Sequence, residues 1–211
     1  MLGLPRAVAR AATVCSLSNC RTVSWTPARR HRATALMARR DGPPRVRLCA
    51  LPYAGGTAAV FKDWPAALPS GVELLTAHLP GRGDRFAEPP LATLEETAEQ
   101  LCAALPPSDL PTAVLGHSMG ALLGYSWKRC CPPWSPTSSP VTATIALGPP
   151  ALDLPLKVYI GADDDGTDWQ TTLDWRVCTA HDCEVVVLPG GHYFVETDRA
   201  AVLARIAADL A

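Results

Sequence analysis

Short apolar runs and stretches with a helical period alternate along the chain from about residue 45 onward. The apolar runs have the length of β-strands and lie at 45–51, 72–77, 111–115, 141–147, 156–160 and 184–188. Apolar residues recur at helical spacing at 58–64, where Pro65 is expected to end the helix, and at 93–105, 121–129, 171–178 and 198–210. This alternation predicts an α/β domain built on a mainly parallel sheet flanked by helices.

The distribution of charge divides the chain into two parts. Residues 1–40 hold eight arginines and no acid, whereas the remaining 171 residues hold 11 lysines and arginines against 20 acids. The first part is predicted to be a disordered leader, and two interpretations of it stay open: an organelle transit peptide, or an extension ahead of a start at Met37. The domain is expected at 41–211, in the cytoplasm, or in a mitochondrion or plastid if the leader is a transit peptide. Its acidic balance argues against nucleic-acid partners.

Length and cysteine usage narrow the class of protein further. The 211 residues fit one domain, expected to be monomeric, and the chain has no run of about 18 apolar residues that would predict a membrane span. The eight cysteines include no C-x-x-C pair, so neither a disulfide framework nor a metal site is predicted. Cys49 and Cys102 lie in apolar runs and are predicted to be buried thiols, which suits a reducing intracellular compartment.

The sequence GHSMG at 116–120 lies between an apolar run of strand type and a run that can continue as a helix. A G-x-S-x-G nucleophile elbow requires this strand, sharp turn and helix context. Glycines at both ends let the strand and the helix pass close together while the serine occupies a strained turn, with its hydroxyl clear of the backbone. Ser118 is therefore the predicted nucleophile.

A serine hydroxyl needs a neighbouring base and a carboxylate that orients this base. His192 is the predicted base, because it follows two glycines in the loop after the last predicted strand. The acid is expected among three consecutive aspartates after the strand at 156–160; the spacing Gly-x-x-Asp favours Asp164 and leaves Asp163 and Asp165 as alternatives. The order Ser, Asp, His along the chain is that of the α/β-hydrolase fold.

Backbone N–H groups are the expected donors to the oxyanion of such a reaction. Met119 supplies the first at the start of the helix, and either Tyr53 or Ala54, in the glycine-rich loop after the first strand, supplies the second. His78 ends a predicted strand near the site and is expected to line the substrate pocket. His117 lies inside the elbow and is expected to point away from Ser118.

Four segments, in this order, resemble type II thioesterases, the stand-alone partners of polyketide and nonribosomal peptide synthases. They are 51–56 (LPYAGG), 79–90 (LPGRGDRFAEPP), 116–122 (GHSMGAL) and 190–194 (GGHYF). The resemblance covers about residues 45–210, and it extends to the medium-chain acyl thioesterases of fatty acid synthesis. The segment PGRGDR is more specific than the elbow, because other serine hydrolases rarely have it.

The resemblance implies a substrate, a reaction and the roles of two residues. The substrate would be an acyl thioester on the phosphopantetheine arm of an acyl or peptidyl carrier protein, or an acyl-CoA. Ser118 would form an acyl-enzyme, and His192 would activate the water that releases the acid. No cofactor is expected, because phosphopantetheine is part of the substrate.

One departure from the family pattern keeps alternatives open. Members carry a helical lid of several tens of residues between the strand after the nucleophile helix and the strand that leads to the acid. Here residues 148–155 form the whole connection, so the lid region is predicted to be deleted. The alternatives are a serine esterase of small oxygen esters and a catalytically impaired, truncated relative.

Overall fold

The computed structural model describes residues 43–130, 141–142, 152–166 and 174–210, together with the strand at 24–27. Within these residues one sheet has the strand order β1-β3-β2-β4-β5-β6-β7. Strands β2 to β7 are parallel, and β1 pairs antiparallel with β3. The strands are β1 (Ser24–Pro27), β2 (Val46–Leu51), β3 (Val72–His78), β4 (Thr112–Gly116), β5 (Val141–Thr142), β6 (Leu156–Gly161) and β7 (Cys183–Leu188).

Helices cover both faces of this sheet. The α-helices are α1 (Trp64–Ala67), α2 (Leu94–Ala104), α3 (Met119–Cys130), a short helix Phe194–Thr197 and the C-terminal helix Arg199–Asp209, and 3₁₀ turns span Ala58–Phe61, Gly83–Arg85 and Asp174–Cys178. Every residue of β2 and β4 is buried. Such continuous apolar strands are expected where a parallel sheet is covered on both sides.

The two faces of β2 contribute to separate core clusters. Cys49 and Leu51 pack with α2 and α3 on one side of the sheet. Leu48 and Ala50 pack on the other side with α1 and the C-terminal helix. The alternation follows from the two-residue period of a strand.

Local signals in the sequence explain where the helices begin. Thr93 caps α2 by accepting a hydrogen bond from the N–H of Glu96 at 3.0 Å, and the Glu96 carboxylate in turn accepts one from the N–H of Ala92 at 3.2 Å. The prediction that Pro65 ends a helix at 58–64 is wrong. Pro65 lies in the first turn of α1, where a missing N–H costs no helical hydrogen bond.

Several other predictions are confirmed only in part or fall outside the described residues. Strand β5 is described for two of the residues predicted at 141–147, and the part of 171–178 that is described forms a 3₁₀ turn instead of an α-helix. Strand β1 lies within the predicted leader, and the rest of residues 1–40 lies outside the described ranges. The lid deletion predicted at 148–155 lies largely outside the described residues. No helix in the described ranges is long and apolar enough to span a membrane.

The two cysteines predicted to be buried thiols have different outcomes. Cys49 is a free buried thiol, and burial raises its pKa to about 12. Cys102 is disulfide-bonded, so the prediction of a thiol is wrong there. The reason is that a disulfide depends on which elements pack together, and an isolated cysteine in an apolar run does not reveal this.

A buried lysine makes the stability of the fold depend on pH. Lys128 on α3 is 7% exposed, its Nζ donates to the Thr112 carbonyl at 3.4 Å, and burial lowers its pKa from 10.5 to about 8. The folded-state pKa lies below the unfolded-state value, so the unfolded state binds more protons between these two pH values and stability should rise with pH there.

We expect Lys128→Met to raise the free energy of unfolding by about 2 to 3 kcal/mol near pH 7, because the burial cost of the charge disappears while the apolar stem stays. Urea unfolding near pH 7 and near pH 10 checks this, and the variant should lose the rise with pH. Lys62→Met, at an exposed position, is the matched control and should change stability by less than about 0.5 kcal/mol. Equal stabilities of the Lys128 variant and the unaltered protein at both pH values would contradict the expectation.

Candidate active site

The turn between β4 and α3 places Ser118 at the carboxyl edge of the sheet. Ser118 has a φ of +55°, and in the described part of the chain it is the only residue other than glycine with a positive φ. A Cβ on Gly116 would overlap the backbone of Gly120, and a Cβ on Gly120 would overlap the carbonyl of Leu51. Both glycines are therefore required for strand and helix to pass this closely, and the serine between them takes the strained conformation.

The loops after β6 and β7 are held against each other at the same edge. Ala162 N–H donates to the Leu188 carbonyl at 2.8 Å, and Asp163 N–H donates to the Gly190 carbonyl at 2.9 Å. A Cβ on Gly161 would overlap the carbonyl oxygens of the Gly190 loop. The close approach of two backbones thus depends on a glycine at the end of β6.

This contact brings Asp164 to His192. The Oδ2 atom of Asp164 lies 3.0 Å from Nδ1 of His192, and the Asp164 side chain is 7% exposed, against 43% for His192. Because a carboxylate accepts the hydrogen bond, Nδ1 of His192 carries the proton and Nε2 is left with a free lone pair. The side chains of Asp163 and Asp165 are exposed and make no hydrogen bond to His192. Of the three aspartates, Asp164 is the one that the structure brings to the histidine.

The serine hydroxyl is not yet engaged in this arrangement. Within the described residues, Ser118 Oγ makes no hydrogen bond, to His192 or to any other group. Catalytic hydrogen bonds are often long in a free enzyme and tighten only when substrate binds. In this structure the hydrogen bond between Asp164 and His192 is formed, whereas the hydroxyl of the strained Ser118 has no hydrogen-bond partner among the described residues.

Two backbone segments carry the N–H groups that the sequence predicts as donors to the oxyanion. Met119 begins α3 and follows Ser118 directly, as predicted from the elbow sequence. Tyr53 and Ala54 lie in a turn that the hydrogen bond from Gly56 N–H to the Tyr53 carbonyl closes at 2.9 Å, with Gly55 at a φ of +82°. Among the described residues, the N–H groups of Met119, Tyr53 and Ala54 make no backbone hydrogen bond.

His117 has a structural role that the sequence did not indicate. The residue is 7% exposed, and its Nε2 lies 2.7 Å from the carbonyl oxygen of His192, to which it must donate. It also meets the rings of Tyr53 and Phe194 edge-on, at centroid distances of 5.3 and 5.7 Å. Burial lowers the pKa of His117, so the ring stays neutral near pH 7. His117 thus fixes the backbone of the loop that carries the predicted base.

A second contact across the site joins the turn at Tyr53 to the segment after His192. The Tyr53 hydroxyl donates to the Glu196 carboxylate at 2.5 Å, and this hydrogen bond raises the pKa of Tyr53 to about 12. The Tyr53 ring also meets the Tyr193 ring edge-on at 5.2 Å. No pattern in the sequence connects these residues, because they become neighbours only when β2 and the last loop reach the same sheet edge.

Two other histidines in the described ranges, His78 and His181, stay outside the acid–histidine pair. His78 ends β3 and is half-buried, burial lowers its pKa, and its carbonyl accepts a hydrogen bond from Arg85. Its described contacts do not join it to Ser118 or His192, so its predicted place in a substrate pocket stays a prediction. His181 is exposed and pairs with Asp153 at 2.7 Å.

Comparison with known proteins finds thioesterases among the relatives of this chain. Residues 46–127 match the family model described as "Thioesterase domain". The chain is 45% identical over 105 residues to AMB antimetabolite synthetase AmbE of Pseudomonas aeruginosa, covering 47% of this chain and 5% of that protein. It is 43% identical over 86 residues to thioesterase PikA5 of Streptomyces venezuelae, covering 40% of this chain and 31% of that protein.

A solved structure extends the likeness beyond the matched segment. The type II thioesterase BorB of the borrelidin biosynthetic cluster superposes with a TM-score of 0.70 at 24% identity, over 89% of this chain and 96% of BorB. By contrast, the sequence matches span about a third or less of the length of the curated relatives. Residues 46–127 therefore resemble the thioesterase domain, and the chain shares the α/β-hydrolase fold of BorB.

Proposed function

We propose that the protein hydrolyses acyl thioesters on the phosphopantetheine arm of acyl or peptidyl carrier proteins, or on coenzyme A. The observation that carries the proposal is the hydrogen bond between Asp164 and His192, made at the sheet edge where the strained Ser118 lies inside a thioesterase-type segment. These three groups supply a nucleophile, a base and the acid that orients it.

The geometry supports a two-stage reaction through an acyl-enzyme. As Ser118 Oγ attacks the thioester carbonyl, Nε2 of His192 takes the hydroxyl proton, and Asp164 stabilises the imidazolium that results. The oxyanion receives N–H donors from Met119 and from Tyr53 or Ala54. The thiol leaves with the proton from His192, and the carbon–sulfur bond breaks. His192 then takes a proton from water, which attacks the acyl-serine. The bond to Ser118 Oγ breaks, His192 returns the proton to Oγ, and the free acid leaves.

The substrate class rests on the likeness to named thioesterases. No cofactor takes part, because phosphopantetheine arrives with the substrate, and a carrier protein is the partner that presents it. We propose that one copy of the chain is sufficient, because Ser118, His192, Asp164 and the backbone donors all come from a single chain.

A second candidate is hydrolysis of small oxygen esters. His192 is 43% exposed, and the connection predicted from the sequence at 148–155 is too short for a large helical lid. An open site of this kind favours small activated esters over long chains that need an enclosing pocket. A third candidate is a truncated relative that binds a carrier protein without turnover.

One comparison separates the three candidates. The same butyryl group is offered as a thioester on a holo carrier protein and as a p-nitrophenyl ester, and the rates are corrected for hydrolysis without protein. The proposal predicts that kcat/KM for the carrier thioester is about tenfold higher or more. A higher value for the oxygen ester would favour the esterase. No turnover of either substrate, with no fluorophosphonate labelling of the folded protein, would favour the non-enzymatic relative.

A further inference from the structure

The reaction above makes no use of the loop that carries the sequence PGRGDR, although this loop is tightly built. Gly81 and Gly83 have φ values of +78° and +52°, a left-handed conformation that favours glycine. Gly81 N–H donates to the Arg85 carbonyl at 3.0 Å, and Arg85 N–H donates to the Arg82 carbonyl at 2.9 Å. The loop thus turns sharply on both sides of Arg82 and holds this residue in one direction.

A neighbouring ion pair fixes the base of the same loop. Arg85 binds both carboxylate oxygens of Glu88, at 2.7 and 2.6 Å, and donates to the His78 carbonyl at 2.9 Å. The two arginines of the motif therefore differ in task. Arg85 ties the loop to itself and to the end of β3, whereas the side chain of Arg82 leaves the loop.

The Arg82 guanidinium reaches the residues of both predicted oxyanion donors. Nη1 lies 3.3 Å from the carbonyl oxygen of Tyr53, and Nη2 lies 3.4 Å from Sδ of Met119. Arg82 is half-buried, yet no ion pair in the described part of the chain includes it, whereas Arg47, Arg85, Arg199 and Arg205 all pair with acids. Burial without a neighbouring carboxylate lowers the pKa of Arg82.

Holding the Tyr53 carbonyl also fixes the next N–H group. The Tyr53 carbonyl accepts from Gly56 N–H and from Arg82 together. The peptide bond between Tyr53 and Ala54 is planar, and in a trans peptide the C=O and N–H groups point in opposite directions. Two donors on the carbonyl therefore set the direction of the Ala54 N–H, which makes Ala54 the better-ordered of the two candidates for the second oxyanion donor.

We propose that Arg82 is a positioning residue for the oxyanion hole: it orients the Ala54 N–H through the Tyr53 carbonyl. This inference rests on the proposed function of Ser118 as nucleophile. A fixed N–H donor acts on the negative charge that develops on the substrate oxygen, so it stabilises the transition state more than bound substrate or product.

The test uses Arg82→Met, which keeps the length of the side chain and removes the charge and the donors. Three quantities are measured: kcat and KM, the rate at which a fluorophosphonate modifies Ser118, and inhibition by an alkyl trifluoromethyl ketone, whose ionised adduct places an oxyanion in the hole. We expect kcat, the labelling rate and the affinity for the ketone each to fall about 10- to 100-fold. KM and the affinity for the product acid should stay within about twofold.

Two further variants complete the design. Arg199→Met is the matched control, because Arg199 pairs with Asp63 on the surface, and it should leave all three quantities unchanged. Arg82→Lys keeps a charge but lacks the planar guanidinium. We expect kcat, the labelling rate and the affinity for the ketone each to fall roughly three- to tenfold in this variant. The same measurements on Arg82→Lys decide the question if Arg82→Met does not fold.

The outcomes separate this inference from the proposed function. Labelling rates and ketone affinities within twofold of the unaltered protein, in a folded Arg82 variant, would overturn the inference. An equal loss of affinity for ketone and for product acid would do so as well, because it would show general binding. If the unaltered protein reacts with the fluorophosphonate but hydrolyses no thioester, the proposed function fails, and the labelling rates still decide the role of Arg82.

Discussion

Ser118→Ala is expected to lower kcat for an acyl thioester by about 10⁴-fold or more, to the level left by binding and the oxyanion donors. The methyl group of alanine cannot attack the carbonyl, so no acyl-enzyme forms. The turn itself should survive, because an alanine in place of Ser118 would keep the strained φ that Gly116 and Gly120 allow. We therefore expect an unchanged thermal unfolding midpoint together with loss of thiol release in a chromogenic thiol assay.

Ser108→Ala is the matched control for this variant. Ser108 is exposed in the loop before β4, where its Oγ accepts a hydrogen bond from Leu110 N–H at 3.2 Å. Its removal should change the rate by less than about twofold, because it touches neither the elbow nor the loops at the sheet edge. Thioester hydrolysis at a tenth or more of the original rate in Ser118→Ala would refute the role of this serine.

Asp164→Asn is expected to lower kcat by about 10³- to 10⁴-fold with little change in KM. The asparagine amide can donate to Nδ1 of His192, which moves the ring proton to Nε2. His192 then has no lone pair facing the serine and cannot accept the hydroxyl proton. Side-chain volume and the hydrogen bond at 3.0 Å are nearly preserved, so the loss reports on the tautomer and the charge instead of on folding.

The neighbouring aspartates provide the controls for the second prediction. Asp163→Asn and Asp165→Asn remove the same charge from the same loop, but their exposed side chains make no hydrogen bond to His192. Steady-state kinetics should show both within about threefold of the unaltered protein. A large loss of activity in either control, with Asp164→Asn still active, would show that the assignment of the acid to Asp164 is wrong.

The parts of the fold that local patterns determine agree with the structure. The elbow at Ser118, the buried strand β2 and the capped helix α2 each depend on residues that are adjacent in sequence, such as Thr93 and Glu96. The fold class follows from the alternation of such elements, because a parallel sheet with crossover helices is the economical way to bury these strands.

The details of the site depend on which loops meet, and sequence alone could not supply them. The Gly-x-x-Asp spacing favours Asp164 but leaves Asp163 and Asp165 open, and the contact between the loops after β6 and β7 decides among them by bringing Asp164 to His192. The same holds for His117, whose bond to the His192 carbonyl joins two loops far apart in the chain. Arg82 belongs to a recognisable motif, but the motif does not show that its side chain reaches Tyr53.

Covalent capture of the acyl group tests the central claim most directly. The protein is mixed with a butyryl thioester of a holo carrier protein and quenched in acid within the first turnover, and the peptides are analysed by mass spectrometry. The account predicts a butyryl group on the peptide that contains Ser118, absent in Ser118→Ala, together with release of one free thiol per acyl group. Release of the thiol with no acyl group on Ser118, or with the acyl group on another residue, would contradict it.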